Sequence, residues 1–275
     1  MYETDIEEIA TDLLLEAMYR RYGYDFRNYA RASVQRRIRN FQEVHKIKTV
    51  ADLIPRILTE EPLFLALAGQ FSIMVTEMFR DPGFFMAVRQ KIVPFLKTFA
   101  RPRIWHAGCA TGEEVYSTVI LLQEEGLYPG VTVFATDFND NALSAAKEGI
   151  YALDDIQQYT RNYQQAGGKQ SFGDYYHADY GRAVMNSNLK TNITFANHNL
   201  VTDHVFSEVH LIFCRNVLIY FNTALQNRVL TLFKDSLADG GYLCLGSNES
   251  LFFSEVEKDF TVVDERQKIY RKKRL

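Results

Sequence analysis

Cysteine is scarce: the 275 residues hold three, Cys109, Cys214 and Cys244, odd in number and far apart. That excludes the disulfide framework that staples small secreted domains. The six histidines show no HExxH spacing and no Cys-x-x-Cys pair occurs, so no metal site is expected. Long apolar runs are missing too. LFLALA, Leu63–Ala68, is among the longest, well short of the roughly 18 residues a bilayer span needs, so the chain is not expected to be membrane-embedded. The N-terminus MYETDIEE is acidic and lacks a signal-peptide layout; a cytoplasmic protein is the expectation. There are no repeats and no low-complexity segment. The net charge of −3 argues against a nucleic-acid partner.

What is present suits one large domain or two smaller ones, with 47% hydrophobic and 24% charged residues. The first 85 or so residues read as helices. Ile6, Ile9, Leu13, Leu14 and Ala17 recur at helical spacing before Gly23. A second helix is expected from about Ala30 to Val44, with Ala30, Val34, Ile38, Phe41 and Val44 as its apolar stripe and Arg31, Arg36, Arg39 and Lys46 opposite. Residues 27–48 carry a local balance of +6. Such a face is either simply solvated or a docking surface for an acidic helix. Pro55 and Pro62 read as the starts of two further short helices.

Past residue 100 the pattern changes. RPRIWHAGCATGEEVYSTVILLQEEG reads as strand, glycine turn, helix; VTVFATDFNDNALSAAKEG as strand, acidic turn, helix; ITFANHNL as a short strand. VHLIFCRNVLIYF is a strand followed by a loop, a helix through TALQNRVLTLFKDSL comes next, and Gly240-Gly241 precedes the strand YLCLG. This alternation predicts an α/β fold with a parallel sheet and helices on both faces. The end reads as a hairpin with an antiparallel last strand. About residues 172–192, two or three short strands are expected to interrupt the alternation.

AGCATGEE, Ala107–Glu114, stands between a strand and a helix, and Gly108 and Gly112 permit a tight turn. Ala110 occupies the middle place of a G-x-G-x-G loop. A helix N-terminus attracts anions, yet here Glu113 and Glu114 fill the first turn and would repel a pyrophosphate. A cationic ligand without phosphate suits them, and S-adenosylmethionine is one. A nicotinamide oxidoreductase is correspondingly disfavoured. Asp137, 25 residues beyond Gly112, stands where an acid meets ribose hydroxyls; it could equally be a turn residue. No Asn/Asp-Pro-Pro-aromatic loop follows VHLIF, which disfavours a nucleic-acid methyltransferase.

VTEMFRDP (Val75–Pro82), AGCATGEEVYS (Ala107–Ser117), ATDFNDNALSAAKEGIY, NHNL, FCRNVLIYF (Phe213–Phe221) and GGYLCLGSNESL occur in order along nearly the whole chain. Together they resemble the CheR-type chemotaxis-receptor glutamate O-methyltransferases. The resemblance implies an N-terminal all-helical substrate-recognition domain (1–85), a linker (86–100) and a Rossmann-like S-adenosylmethionine-binding methyltransferase domain (101–275) with a small antiparallel β insert. It implies methylation of glutamates on cytoplasmic chemoreceptor helices or a receptor-like protein, with S-adenosylhomocysteine as product, and a monomer is expected. By motif, Thr76 and Arg80 match residues reaching the cofactor from the helical domain. Glu114 matches the acid facing the methionine ammonium, near Gly108; Asp137 the ribose ligand; Asn199 and Leu200 the adenine neighbours; Arg215 and Asn216 a cofactor-contacting pair. Arg80 and Tyr220 match the residues at the transferred methyl, and Arg31, Arg36 and Arg39 are the expected docking cations. By residue type alone, Arg80 could pair with Asp81, Tyr220 could be packing, and Arg215 could be a structural strut. The family commonly has Asn where Met74 stands. With Ala110, that leaves a second reading, a cofactor-binding sensor or interaction protein with little turnover.

Overall fold

The computed structural model describes residues 2–27, 29, 31–71, 76–205 and 207–274, with side chains from Ile6 onward. The chain divides into two compact units, Met1–Ile73 with Ile219–Gln226, and Met74–Leu218 with Asn227–Leu275.

The first unit is helical. Helix α1 (Tyr2–Tyr22) stops at Gly23, whose φ of +81° suits a residue without Cβ. Its buried face is Ala10, Thr11, Leu14, Leu15 and Met18, whereas Ile6, Ile9 and Leu13 are 63%, 60% and 56% exposed. The expected stripe through Ile6, Ile9 and Leu13 is therefore wrong: apolar residues lie all around this helix, so periodicity could not choose its inner face. Helix α2 (Arg31–His45) buries Val34, Ile38 and Phe41 but leaves Val44 exposed; Ala30 lies outside the described residues. Helix α3 (Val50–Thr59) starts at a capping box, Thr49 with Asp52, so Pro55 sits inside the helix rather than at its start. Helix α4 (Glu61–Phe71) does carry Pro62 in its first turn. The segment Ile219–Gln226 is stitched to the α1 end. The Asp25 N–H donates to the Tyr220 carbonyl (2.8 Å), and Tyr24 bridges Phe221.

The second unit opens with helical chain: α5 (Pro82–Ala87), a π turn over Val88–Ile92, and α6 (Val93–Leu96), so residues 86–96 are helix rather than an irregular linker. Then follow β1 (Arg103–Ala107), α7 (Glu113–Glu124), β2 (Thr132–Asp137), α8 (Asp140–Glu148), β3 (Ile150–Ala152) and α9 (Ile156–Gln165). After these come β4 (Tyr176–Asp179), β5 (Arg182–Met185), β6 (Ile193–Asn197), β7 (Val209–Cys214), α10 (Thr223–Ser236), β8 (Leu237–Leu245), β9 (Phe260–Asp264) and β10 (Ile269–Lys272). The main sheet has seven strands in the order β6-β2-β1-β7-β8-β10-β9. Its first five are parallel; β10 pairs antiparallel with both β8 and β9. Wholly buried β7 (VHLIFC) carries no alternation because both its faces are covered. The insert is a three-stranded antiparallel sheet, β3-β5-β4. It recruits β3, earlier than the 172–192 stretch in which its strands were expected, because three residues, IYA, give too short a pattern to read.

Strand order reverses at β1, which has β2 on one side and β7 on the other. Chain direction then changes on either side of one crevice at the strands' carboxyl ends, the place where open α/β sheets bind ligands. Among the described residues no helix is long and apolar enough to cross a membrane.

Candidate active site

The turn after β1 is built for close approach. The N–H groups of Gly108 and Cys109 both donate to the Thr136 carbonyl, at 2.8 and 2.9 Å, tying it to the end of β2. Gly108 has φ +80°, and a Cβ there would lie 2.5 Å from Val217 Cγ2. Only glycine fits. Ala110 takes φ +48°, a left-handed conformation that costs a residue with a Cβ about 1–2 kcal/mol. Its N–H donates to Asp137 Oδ2 at 2.9 Å, which holds it there. Asp137 Oδ1 accepts from the Asn139 N–H at 3.0 Å. Burial pushes the Asp137 carboxyl up, and these N–H bonds oppose it.

The two first-turn acids of α7 diverge. Glu113 is buried, both its oxygens accept from the Thr111 hydroxyl (2.9 and 2.7 Å), and burial pushes its pKa up to about 7. Glu114 bonds His106 Nδ1 at 3.2 Å and Arg215 Nη1 at 2.9 Å. Burial pushes Glu114 up, yet His106 and Arg215 together hold it below the usual carboxylate range.

Arg215 is a hub. Its side chain is 3% exposed, Nη2 meets Asp81 Oδ2 at 2.5 Å, and the guanidinium lies 4.0 Å over the Phe84 ring. Its buried Nε has no hydrogen-bond partner. Arg215 is thus buried and ion-paired within this unit, with Asp81 as one of its partners. The segment of Thr76 and Arg80 belongs to this unit, not to the helical one. Phe79 N–H donates to Ser117 Oγ (2.8 Å) and Asn162 Nδ2 to the Met78 carbonyl (3.0 Å), while Phe79 and Asp81 have φ of +54° and +58°. Met74 and Val75 lie outside the described residues.

A residue the motifs did not single out organises the loop after β7. Glu249 is 5% exposed and accepts four backbone N–H groups: Asn216 (3.0 Å), Val217 (2.8 Å), Leu218 (2.7 Å) and Gly246 (2.6 Å). Asn216 is thereby held at φ +62°. Burial pushes the Glu249 carboxyl up and the four donors pull it back toward the charged form. A carboxylate three residues past a glycine at a strand end is the only trace of this in GSNE, and it reads as an ordinary exposed loop acid.

Asn199 turns its side-chain oxygen on its own loop, accepting from the Val201 N–H at 2.9 Å, and Leu200 is buried. Gly108, Glu114, Asp137, Arg215 and Asn216 thus share one sheet edge, with Asn199 and Leu200 just past β6 and Thr76 and Arg80 in the same unit. Tyr220 groups with the helical unit, where its half-buried ring lies 6.2 Å from that of Phe26 and 5.9 Å from that of Tyr29. In that unit Arg31 pairs with Asp12 (2.6 Å) and Arg39 with Glu7 (3.1 Å), so α1 acids answer part of the α2 charge; Arg36 is exposed. Among the described residues no cluster of His, Cys, Asp or Glu could hold a metal ion.

The edge fits a nucleoside bearing positive charge. The Glu114 carboxylate in the first turn of α7 disfavours phosphate, and the Asp137 oxygens keep further lone pairs for hydroxyl donors. Fold and edge are compatible with an S-adenosylmethionine-dependent methyltransferase, and the family match shows that class. Residues 74–269 match the CheR methyltransferase SAM-binding domain and residues 10–70 the CheR methyltransferase all-alpha domain. The chain belongs to the CheR methyltransferase family, and its cofactor is S-adenosylmethionine. It is 49% identical to the Pseudomonas putida protein Cher3, over 98% of this chain and 97% of that one. It is 33% identical to chemotaxis protein methyltransferase 1 of Vibrio cholerae, over 75% of this chain and 76% of that one. Among solved structures, N-methyltransferase NodS of Bradyrhizobium japonicum with S-adenosylhomocysteine aligns at TM-score 0.42 and 15% identity, over 72% of this chain and 90% of that one.

Proposed function

We propose that the protein is a cytoplasmic, monomeric protein-glutamate O-methyltransferase acting on the helices of chemoreceptors or of a receptor-like protein. The observation that supports this most is Arg80, carried on a segment fixed to α7 through Ser117, to α9 through Asn162 and to Arg215 through Asp81. An arginine carried on a segment held this way suits an incoming carboxylate.

When bound, S-adenosylmethionine supplies a methyl carbon activated by its sulfonium. A glutamate acceptor is already ionised near pH 7, so no strong general base is required. The chain's work is then positioning and exclusion of water. Arg80 orients the acceptor carboxylate, and Tyr220 offers one hydrogen bond at the transferred group. Glu114 supplies negative charge toward the ammonium. Asp137 serves the ribose hydroxyls, Asn199 and Leu200 the adenine, and Thr76, Gly108, Arg215 and Asn216 complete the cofactor contacts. Arg31, Arg36 and Arg39 dock the acidic substrate helix.

Tyr220→Phe removes one hydrogen bond, worth about 1 kcal/mol. Methyl transfer to a receptor cytoplasmic fragment should fall roughly fivefold, with cofactor affinity by calorimetry within a factor of two; equal loss of both would remove Tyr220 from the methyl end. Cofactor binding with no transfer to any fragment would instead support the sensor or interaction-protein reading. Arg36→Glu combined with Arg39→Glu should raise KM for the fragment about tenfold at low salt, less at high salt, without changing cofactor affinity. Unchanged methylation would sink the docking role of α2.

A further inference from the structure

Glu114 is held by two side chains, and each leaves a polar atom of its own unsatisfied. His106, 1% exposed on β1, sets Nδ1 3.2 Å from Glu114 Oε1, while its buried Nε2 has no hydrogen-bond partner among the described residues. Arg215 sets Nη1 2.9 Å from Glu114 Oε2, and its buried Nε is orphaned likewise. Buried polar atoms are nearly always paired, because an orphan costs the desolvation of its group. Two orphans on the two partners of one carboxylate mark a place where stability is given up for geometry.

The sheet sets the ring of His106. Its register neighbours are Ala135 on β2 and Phe213 on β7, and neither side chain is polar. Neighbours in register share a face of the sheet. The imidazole accordingly lies flat on the Phe213 ring, with centroids 4.5 Å apart and planes 8° from parallel. Arg215, two residues past Phe213, lies over the Phe84 ring at 4.0 Å, and Phe84 meets Phe213 edge-on at 5.8 Å. Both groups that hold Glu114 therefore rest on aromatic rings, and those rings rest on each other. Neither group can swing away without giving up a ring contact.

Proton placement follows from the chemistry. An ionised carboxylate only accepts hydrogen bonds, and Glu114 is held below the usual carboxylate range. Nδ1 therefore carries the proton, and in the uncharged ring Nε2 holds the lone pair. That arrangement suits a carboxylate with a cation still to meet. Arg215 is already shared between Glu114 and Asp81, so two carboxylates against one guanidinium leave one negative charge. A second cation in the place of His106 would cancel it. An uncharged N–H orients the carboxylate and leaves its charge for the ligand. We propose that His106 is a positioning residue for cofactor binding: through its Nδ1–H it aims the Glu114 carboxylate at the ammonium of S-adenosylmethionine without neutralising it. This rests on the reading of Glu114 given above.

The test is binding of S-adenosylhomocysteine, which carries the same ammonium, to the full chain by calorimetry, alongside thermal unfolding. His106→Phe keeps a ring on Phe213, discards the orphaned Nε2 and removes the donor to Glu114. It should unfold no earlier than wild type yet bind about tenfold more weakly, the loss expected for one hydrogen bond to a charged group. His106→Asn keeps a side-chain N–H but loses the ring. It should unfold earlier yet bind within about threefold of wild type. A residue that merely packs would give the opposite ranking. His106→Phe with wild-type affinity overturns the proposal, and so does a His106→Asn that binds as weakly as His106→Phe. Glu114→Gln should weaken binding as well, and His106→Phe added to it should cost less than about a further twofold. A full further tenfold overturns the proposal, because His106 would then act on another group. Glu114→Gln with wild-type affinity overturns the reading of Glu114 and this proposal together. A weakened Glu114→Gln beside an unchanged His106→Phe overturns this proposal alone.

Discussion

Arg215→Ala should destabilise the second unit by about 3 kcal/mol, read as a fall in the urea midpoint at constant slope. The argument is one of stranded charge. The Arg215 side chain is 3% exposed and its partners Glu114 and Asp81 are 22% and 46% exposed. Removing the cation leaves Glu114 half-paired in a buried place, with only His106 beside it, and that dominates. Asp81 can turn to water, so its share is small, which places the effect at the lower end of what breaking a buried pair costs. The contact with Phe84 adds to the loss. Arg215→Lys should rescue little, since one ammonium cannot bridge two carboxylates in the geometry of a planar fork. The penalty should also depend on pH in one direction. Because Glu114 is held below its ordinary value, its pairing stabilises above a pH of about 4.3 and is lost as pH falls below that. The wild-type advantage should therefore shrink in acid. A loss below about 1 kcal/mol at pH 7 would mean that the hub is worth no more than a surface pair.

The same hub shows where sequence reading reaches its limit. The βαβ alternation and the glycine turn were legible because strand burial and left-handed backbone leave marks in residue type. Wholly apolar β7 and the glycines at 108 and 112 are such marks. Less legible were features set by partners distant in the chain. Arg80 and Asp81 are neighbours in sequence, yet Asp81 pairs with Arg215, 134 residues away, and no local pattern announces that. In sequence, Thr76 and Arg80 group with the helical domain, because no strand intervenes before residue 100. Backbone anchors from Ser117 and Asn162, whose partners lie far away in the chain, tie their segment to the second unit. Tyr220 was read from its place beside Arg215 and Asn216. The chain crosses between units at Leu218/Ile219, so adjacency in sequence did not mean membership of one unit. In α1 the difficulty was the reverse, an excess of apolar residues: Ile6, Ile9 and Leu13 are as hydrophobic as the face that is buried. Ala110 was read as a departure from a glycine pattern. Its N–H bond to Asp137 shows how alanine keeps the glycine-like conformation there.

Glu249→Ala should cost about 3 kcal/mol of stability and weaken cofactor binding a hundredfold or more, measured by urea unfolding and by calorimetry with S-adenosylhomocysteine. One carboxylate satisfies four backbone N–H groups, and each buried donor left without an acceptor costs about 1–3 kcal/mol. Relaxation and entering water recover part of that total, which brings the loss to the value expected. The affinity loss has a different origin. Asn216 keeps its φ of +62° only while its N–H and those of the next two residues converge on one acceptor. Without the carboxylate the loop relaxes toward conformations that the ligand must then reorder, and a penalty of about 2.7 kcal/mol is a factor of 100 in Kd. Glu249→Gln separates charge from shape. Glutamine keeps one oxygen for two of the donors but turns an NH2 toward the other two, setting donor against donor. It should therefore fall between wild type and alanine in both measurements. Glu249→Asp, one methylene shorter, should resemble alanine because it cannot span Gly246 and Leu218 at once. A glutamine variant with wild-type affinity would show that the four bonds hold the loop without their charge, and that Asn216 is set by its close packing on Gly246 instead.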